Sequence, residues 1–369
     1  MSDSRVSKLA KILVHYSTKV QKGDKVLIRG YPLEPIGSPL VIEVLREVLK
    51  AGGHPHFFID LEDIWYYFLK EASDTQLLEP GIFEKYAVEN IDVDIRISAQ
   101  SNMHYLAGID PAKLTLLRQA YSELSDLWFN RSASGEMRWV ATRFPCPSYA
   151  DAAEMSLPDY EDLYYGATYV DDDDPIQKYK EMEEMQDELV AWLKDKDQVH
   201  IEGEDIDISM SIKGRPFVNC CGIHNIPDGE IFTGPIEESV KGKIKFSFPC
   251  IYAGNVVEGV ELEFDNGQVT KATAEKNEDY LLETINTDEG ASFVGEFGIG
   301  TNFEIDKFTK IMLFDEKLGG TIHLALGHGY LETGSKNKSA IHWDLLANMH
   351  DGRITVDGEL FYEAGKFKI

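Results

Sequence analysis

Positive charge is scarce in this sequence. Among its 369 residues, 36 Lys and Arg stand against 64 Asp and Glu, a formal net charge of −28. Nucleic acid needs a basic surface for its phosphates, so it is not an expected partner. An acidic surface instead repels anions and favours ligands that carry an amine. Cysteine is equally sparse: Cys146, Cys220, Cys221 and Cys250 are the whole set, with no C-x-x-C pair. A disulfide scaffold is not expected at this length, and a reduced cytoplasm is the simplest compartment. No run of 18 apolar residues occurs, so neither a transmembrane helix nor a membrane partner is expected. The N-terminal stretch lacks a long apolar region or a small-residue cleavage site. It reads as an amphipathic helix with Leu9, Ile12 and Leu13 on one face. No G-x-G-x-x-G follows a predicted strand, which leaves dinucleotide binding without support.

What is present suits a packed core. Hydrophobic residues make up 43% and aromatics 11% of the chain, enough for one large or two medium domains. Lys25–Arg29 follows the turn signal Lys22-Gly23-Asp24 and reads as a buried strand. Pro39 to Lys50 is an amphipathic helix stopped by Gly52-Gly53. His56–Ile59 and Ile91–Ser98 are further strands. Strand, helix, strand in this order predicts a parallel sheet with right-handed crossovers. Leu127-Trp128-Phe129 and Arg138 to Pro145 read as additional strands, and Asp151 to Met155 and Asp159 to Tyr165 as short helices. Pro175 to Lys194 is a charged helix with Pro in its first turn. The acidic runs Asp171–Asp174 and Glu181–Glu188 read as solvated surface.

After Val199 the texture is strand-rich. Asp205–Ile212 alternates, Lys243–Phe248, Asn255–Phe264 and Gln268–Thr273 follow, and Asp265-Asn266-Gly267 is a hairpin turn. Glu278 to Thr287 is a short helix, and Ile354–Val356 with Glu359–Tyr362 closes the chain as a hairpin. The expected organisation is an α/β N-terminal domain with a parallel sheet (1–180) and a connecting helix (175–194). An α+β, strand-rich C-terminal domain with a mixed sheet (195–369) completes it and is expected to bind metal.

The densest chemistry lies between Gly319 and Asp344, where His323, His328, Tyr330, His342 and Asp344 fall close together. Thr321 to Leu326 is apolar enough for a buried strand, which would hold His323 rigidly. In an extended segment residues i and i+2 share a face, so His342 and Asp344 can grip one ion together. Imidazole and carboxylate suit zinc, cobalt, manganese or iron. Upstream, Glu296 sits in the apolar, glycine-rich run Val294–Gly300, where a carboxylate must be paired or bind a metal. Glu230 follows the turn Pro227-Asp228-Gly229 and, taken alone, reads as an exposed turn-flanking carboxylate.

The ordered series Glu230, Glu296, His323, Tyr330, His342, Asp344 resembles the thermophilic-type metallo-aminopeptidase family, the group of aminopeptidases T and S. Matching blocks are P-D-G-E-I-F-T-G-P at Pro227–Pro235, G-E-F-G-I-G at Gly295–Gly300, H-L-A-L-G-x-G-Y at His323–Tyr330 and S-A-I-H-W-D at Ser339–Asp344. The resemblance covers nearly the whole chain. It implies a cocatalytic site of two divalent ions (zinc, cobalt or manganese) ligated by Glu230, Glu296, His323, His342 and Asp344. Tyr330 would be a further ligand or a hydrogen-bond donor to the oxyanion, and Glu296 the proton shuttle. The implied activity is release of N-terminal residues from short peptides with a free N-terminus, by a cytoplasmic homodimer. His328 lies outside that ligand set and reads either as lining the pocket or as filling the turn, the second being favoured. The same fold family includes mononuclear iron dioxygenases that open dihydroxypyridine rings, for which His323, His342 and Asp344 alone would suffice. The two extra carboxylates favour the peptidase.

Overall fold

The computed structural model describes residues 3–33 and 35–369. The chain forms two compact units: Met1–Gln177 with Gly222–Pro227, and Lys178–Cys221 with Asp228–Ile369.

The first unit is built on a parallel sheet in the order His54–Ile59, Lys25–Leu33, Val93–Ala99, Arg138–Arg143, Asn225–Ile226. Val26, Ile28, Val93, Ile95, Ile97 and Val140 are fully buried. Near-continuous apolar runs of this kind are what a sheet covered on both faces requires. Helix Ser38–Ala51 buries Leu40, Val44 and Val48, spaced four apart, and ends where Gly52 turns left-handed at φ 82°. The last strand is two residues long and arrives from far along the sequence, so no periodicity announces it.

One expected strand is a helix. Leu127-Trp128-Phe129 lies inside helix Pro111–Ala133, whose buried positions are Leu124 and Trp128, again four apart. Trp128 Nε1 donates to Asp94 Oδ2 at 3.1 Å, which ties the helix to the central strand. A three-residue apolar run carries no period of its own, and the long helical frame overrides it.

The second unit holds two large antiparallel sheets and a two-stranded one, Cys250–Tyr252 with Asn255–Val257. The larger runs Gln268–Thr273, Glu261–Asp265, Lys241–Lys245, Ile206–Ser211, Gln198–Gly203, Arg353–Val356, Glu359–Glu363, Lys366–Phe367. The smaller runs His342–Asn348, Thr321–Gly327, Val294–Gly300, Glu230–Thr233, Val218–Cys220. A single apolar cluster joins them: Val199, Ile208, Leu262 and Ile354 from the larger meet Phe297, Ile299, Leu324, Trp343 and Leu345 from the smaller. Each such side chain stabilises by about 1.5–3 kcal/mol when fully buried. Helix Pro175–Leu193 adds Leu189 and Leu193 to the same cluster. The hairpin at Asn266-Gly267 has φ of 50° and 80°, the left-handed pair that matches strand twist. The expected strand Asn255–Phe264 is instead two, Asn255–Val257 and Glu261–Asp265, interrupted where Gly259 turns to φ 65°. Among the described residues, no helix is long and apolar enough to cross a membrane.

Candidate metal centre

The smaller sheet of the second unit gathers the candidate residues on the face turned away from its apolar cluster. Register explains how. On strand Thr321–Gly327, second in the order, Ile322, Leu324 and Leu326 join the cluster, so His323, Ala325 and Gly327 face the other way. Glu296 pairs with Ala325, and Gly298 with His323, on one side. Asp344 pairs with Ala325, and His342 with Gly327, on the other. Glu230 pairs with Gly300, two residues beyond Gly298 on the same face. Glycine is required on this face by close approach: a Cβ would lie 2.0 Å from the Leu318 carbonyl oxygen at Gly300 and 2.3 Å from that of Ile341 at Gly327. At Gly298 the requirement is direct, because a Cβ there would lie 2.1 Å from the His323 ring.

Across this face the polar atoms form a chain of short separations. His323 Nε2 donates to Glu296 Oε1 at 3.0 Å and lies 3.5 Å from Glu230 Oε2. His342 Nε2 lies 3.7 Å from Glu296 Oε2 and 3.4 Å from Asp344 Oδ1. Glu296 therefore turns one carboxylate oxygen toward each imidazole. His342 is oriented from behind, since its Nδ1–H donates to the His328 carbonyl at 2.7 Å. An imidazole held this way presents its other nitrogen as a ligand. That is the role of His328: its backbone carbonyl positions His342, while its side chain is exposed. The Tyr330 ring tilts against His342 at 5.1 Å between centroids and meets Phe232 edge-on at 5.7 Å. Tyr330 itself is 43% exposed.

Glu230 is buried, contrary to its reading as an exposed turn residue. The turn before it packs inward: Gly229 sits at φ 136°, where a Cβ would come within 2.6 Å of Asn302. A wholly buried lysine accompanies it, which sequence reasoning missed. Lys317 Nζ donates to Glu230 Oε1 at 2.9 Å, pairs with Glu316, and lies 3.8 Å from Asp228 Oδ1. The stretch Asp315-Glu316-Lys317 reads as an ordinary charged turn, and nothing in its pattern signals that Lys317 has no exposure.

Burial and mutual charge set the protonation of this group. Burial pushes the Glu230 carboxyl up to about 8, against the pull of Lys317. Burial also raises Glu296, with His323 opposing. Asp344 ends below the usual carboxylate range, because His342 outweighs its burial. Burial disfavours the charged imidazoles, yet carboxylate neighbours win: Glu296 and Glu230 hold His323 at about 9, while Asp344 and Glu296 hold His342 at about 10. Burial and the surrounding carboxylates raise the Tyr330 phenol.

Several buried atoms here lack a hydrogen-bond partner, namely Glu230 Oε2, Glu296 Oε2 and Asp344 Oδ1. Leaving such atoms unsatisfied is costly. They belong to the side chains that converge on one face of the sheet, and the donor set is carboxylate and imidazole. Ligand atoms of Glu230, Glu296 and His323 lie within 4.8 Å of one another. These residues fit a divalent cation.

Comparison with known proteins agrees. The chain is 24% identical over 400 residues to Aminopeptidase 2 of Geobacillus stearothermophilus, covering 97% of this chain and 95% of that protein. It is 27% identical over 398 residues to Aminopeptidase T of Thermus aquaticus, covering 96% and 94%. The fold matches that of wild-type AmpT from Thermus thermophilus with a TM-score of 0.84 at 20% identity, over 99% of both chains. The pattern of the thermophilic metalloprotease (M29) family matches residues 2–367, and the chain belongs to that family.

Proposed function

We propose that this chain is a metal-dependent aminopeptidase that releases N-terminal residues from short peptides. The carrying observation is the buried Glu296 carboxylate, which offers a separate oxygen to His323 and to His342. Glu230, Glu296, His323, His342 and Asp344 are the residues that would hold the ions, two in number on this reading, with Tyr330 beside them. Bound divalent ions lower the pKa of a water and polarise the scissile carbonyl. The protein's own groups do the rest. Tyr330 O–H donates to the carbonyl oxygen as it gains charge. Glu296 takes a proton from the attacking water and passes it to the leaving amine. The surrounding carboxylates favour a free α-ammonium, which restricts cleavage to the peptide's N-terminal end. Zinc, cobalt and manganese all suit these ligands.

The ring-opening oxygenase is not favoured. One iron would use His323, His342 and Asp344 and leave Glu230 and Glu296 without a task, and the family match is to proteases. The proposal includes a homodimer that narrows access to short, flexible peptides, and a cytoplasmic location. The direct test is hydrolysis of leucyl-p-nitroanilide by metal-stripped protein titrated with cobalt, zinc or manganese. Activity should rise with added ion and vanish with chelator. Absence of hydrolysis with every ion would overturn the reading.

A further inference from the structure

We propose that Lys317 is a positioning residue of the metal centre. Its buried ammonium ties down one oxygen of Glu230 and so presents the other to an ion shared with Glu296 and His323. This rests on the metalloenzyme reading above and deepens it by assigning a group that ligates nothing itself.

The Glu230 carboxylate is divided between two neighbours. Oε1 accepts from Lys317 Nζ at 2.9 Å, whereas buried Oε2 has no hydrogen-bond partner and looks toward His323 Nε2 at 3.5 Å. An ion on Glu230, Glu296 and His323, whose ligand atoms lie within 4.8 Å of one another, would therefore meet Glu230 through Oε2. A ligand oriented beforehand by a second partner loses less freedom when the ion arrives. The lysine is itself held in place. Its carbonyl accepts from the Asn302 N–H at 3.1 Å, and Asn302 Nδ2 donates to the Asp228 carbonyl at 2.8 Å. One residue thus ties the segment that carries Lys317 to the turn that leads into Glu230. Gly300, the register partner of Glu230, lets that segment lie against the strand, since a Cβ there would fall 2.0 Å from the Leu318 carbonyl oxygen. The Lys317 side chain has no exposure, so its ammonium cannot swing away into water. An ammonium beside a cation site ordinarily repels the ion. Here Glu316 also pairs with Nζ, and Asp228 Oδ1 lies 3.8 Å from it, so three carboxyl groups share one ammonium and the group stays acidic. A purely structural ion pair gains nothing from a buried, unpartnered oxygen on its far side.

The experiment measures zinc affinity of the full chain by competition with a chromophoric chelator, for wild type, Lys317→Met, Glu230→Gln and the double variant. Each protein is prepared in excess zinc and the chelator then withdraws it, so a variant that needs the ion to fold is still measured. Lys317→Met keeps the stem and removes the ammonium. Loss of a group that orients a ligand costs about 10–100-fold in metal affinity, and that loss is expected for one of the two ions, with the other held as in wild type. The double variant should bind zinc no more weakly than Glu230→Gln alone, because Lys317 acts through that carboxylate. Wild-type affinity in Lys317→Met would overturn the proposal and leave the metalloenzyme reading standing. So would losses in the two single variants that multiply in the double one, which would make Lys317 a stabiliser of the fold only. A wild type that binds no zinc would overturn both. If Lys317→Met does not fold even in zinc, Lys317→Gln, polar but too short to reach Glu230, takes its place in the same cycle with the same expected outcomes.

Discussion

The Glu296 carboxylate faces two imidazoles with different oxygens, and this sets what its removal does. Glu296→Gln keeps the shape but not the charge or basicity. We expect hydrolysis to fall by roughly 10²–10⁴-fold, the usual worth of a positioned acid–base group. One ion should remain bound, because His342 and Asp344 are untouched. Normal hydrolysis by Glu296→Gln, measured alongside metal content, would remove the role assigned here. Protons compete for the same site. His323 and His342 are held at about 9 and about 10 in the ion-free protein, so near neutrality both are charged and must lose a proton to ligate. Apparent zinc affinity should therefore rise with pH, by up to about tenfold per pH unit for each proton released. Calorimetry in two buffers of different ionisation enthalpy would count those protons, and a pH-independent affinity would contradict the assignment.

At the scale of the element, the strands that carry His323, His342 and Asp344 are readable in the sequence and their neighbours are not. Alternation along Thr321 to Leu326 and the spacing of His342 and Asp344 put these residues on strands, as observed, because both depend only on the two-residue period of a strand. The burial of Glu230 depends on where Gly229 folds the chain, and the burial of Lys317 on which carboxylates surround it. Those are tertiary facts with no local pattern. The glycines on the face shared by His323 and Glu296 mark the boundary between the two cases. Gly298 is visible in the sequence, but its purpose is clear only from its pairing with His323. Gly298→Ala would drive a methyl into the imidazole, where only 2.1 Å is available. Overpacking of this kind costs about 1–3 kcal/mol. Because the strain falls on His323, metal affinity should fall together with the melting temperature. A variant that melts early but binds zinc at wild-type strength would show that the His323 position does not depend on this glycine.

For the whole molecule, every candidate ligand belongs to the second compact unit, and none to the parallel-sheet unit. That division was only partly legible, because Gly222–Pro227 leaves the second unit to add Asn225–Ile226 to the first sheet, and two residues carry no signal. It has a thermodynamic consequence. An ion that binds only the folded second unit stabilises it by RT ln(1 + [L]/Kd), about 2.7 kcal/mol at a hundredfold excess over Kd. Without the ion the same unit should weaken as pH rises. The folded pKa values of His323 and His342 lie above the ordinary 6.5, so their stabilising contribution is complete below that value and is lost as pH passes through about 9 and about 10. Glu230, raised to about 8 from 4.5, acts in the same direction over a lower range. Hydrogen exchange followed by peptide mapping separates the units without cutting the chain. Chelation at pH 8 should speed exchange in strands Val294–Gly300, Thr321–Gly327 and His342–Asn348, leave Lys25–Leu33 and Val93–Ala99 unchanged, and have a smaller effect at pH 6. Equal acceleration in both units would mean that the ion stabilises them as one cooperative body, and no acceleration in either would mean that these strands hold no ion.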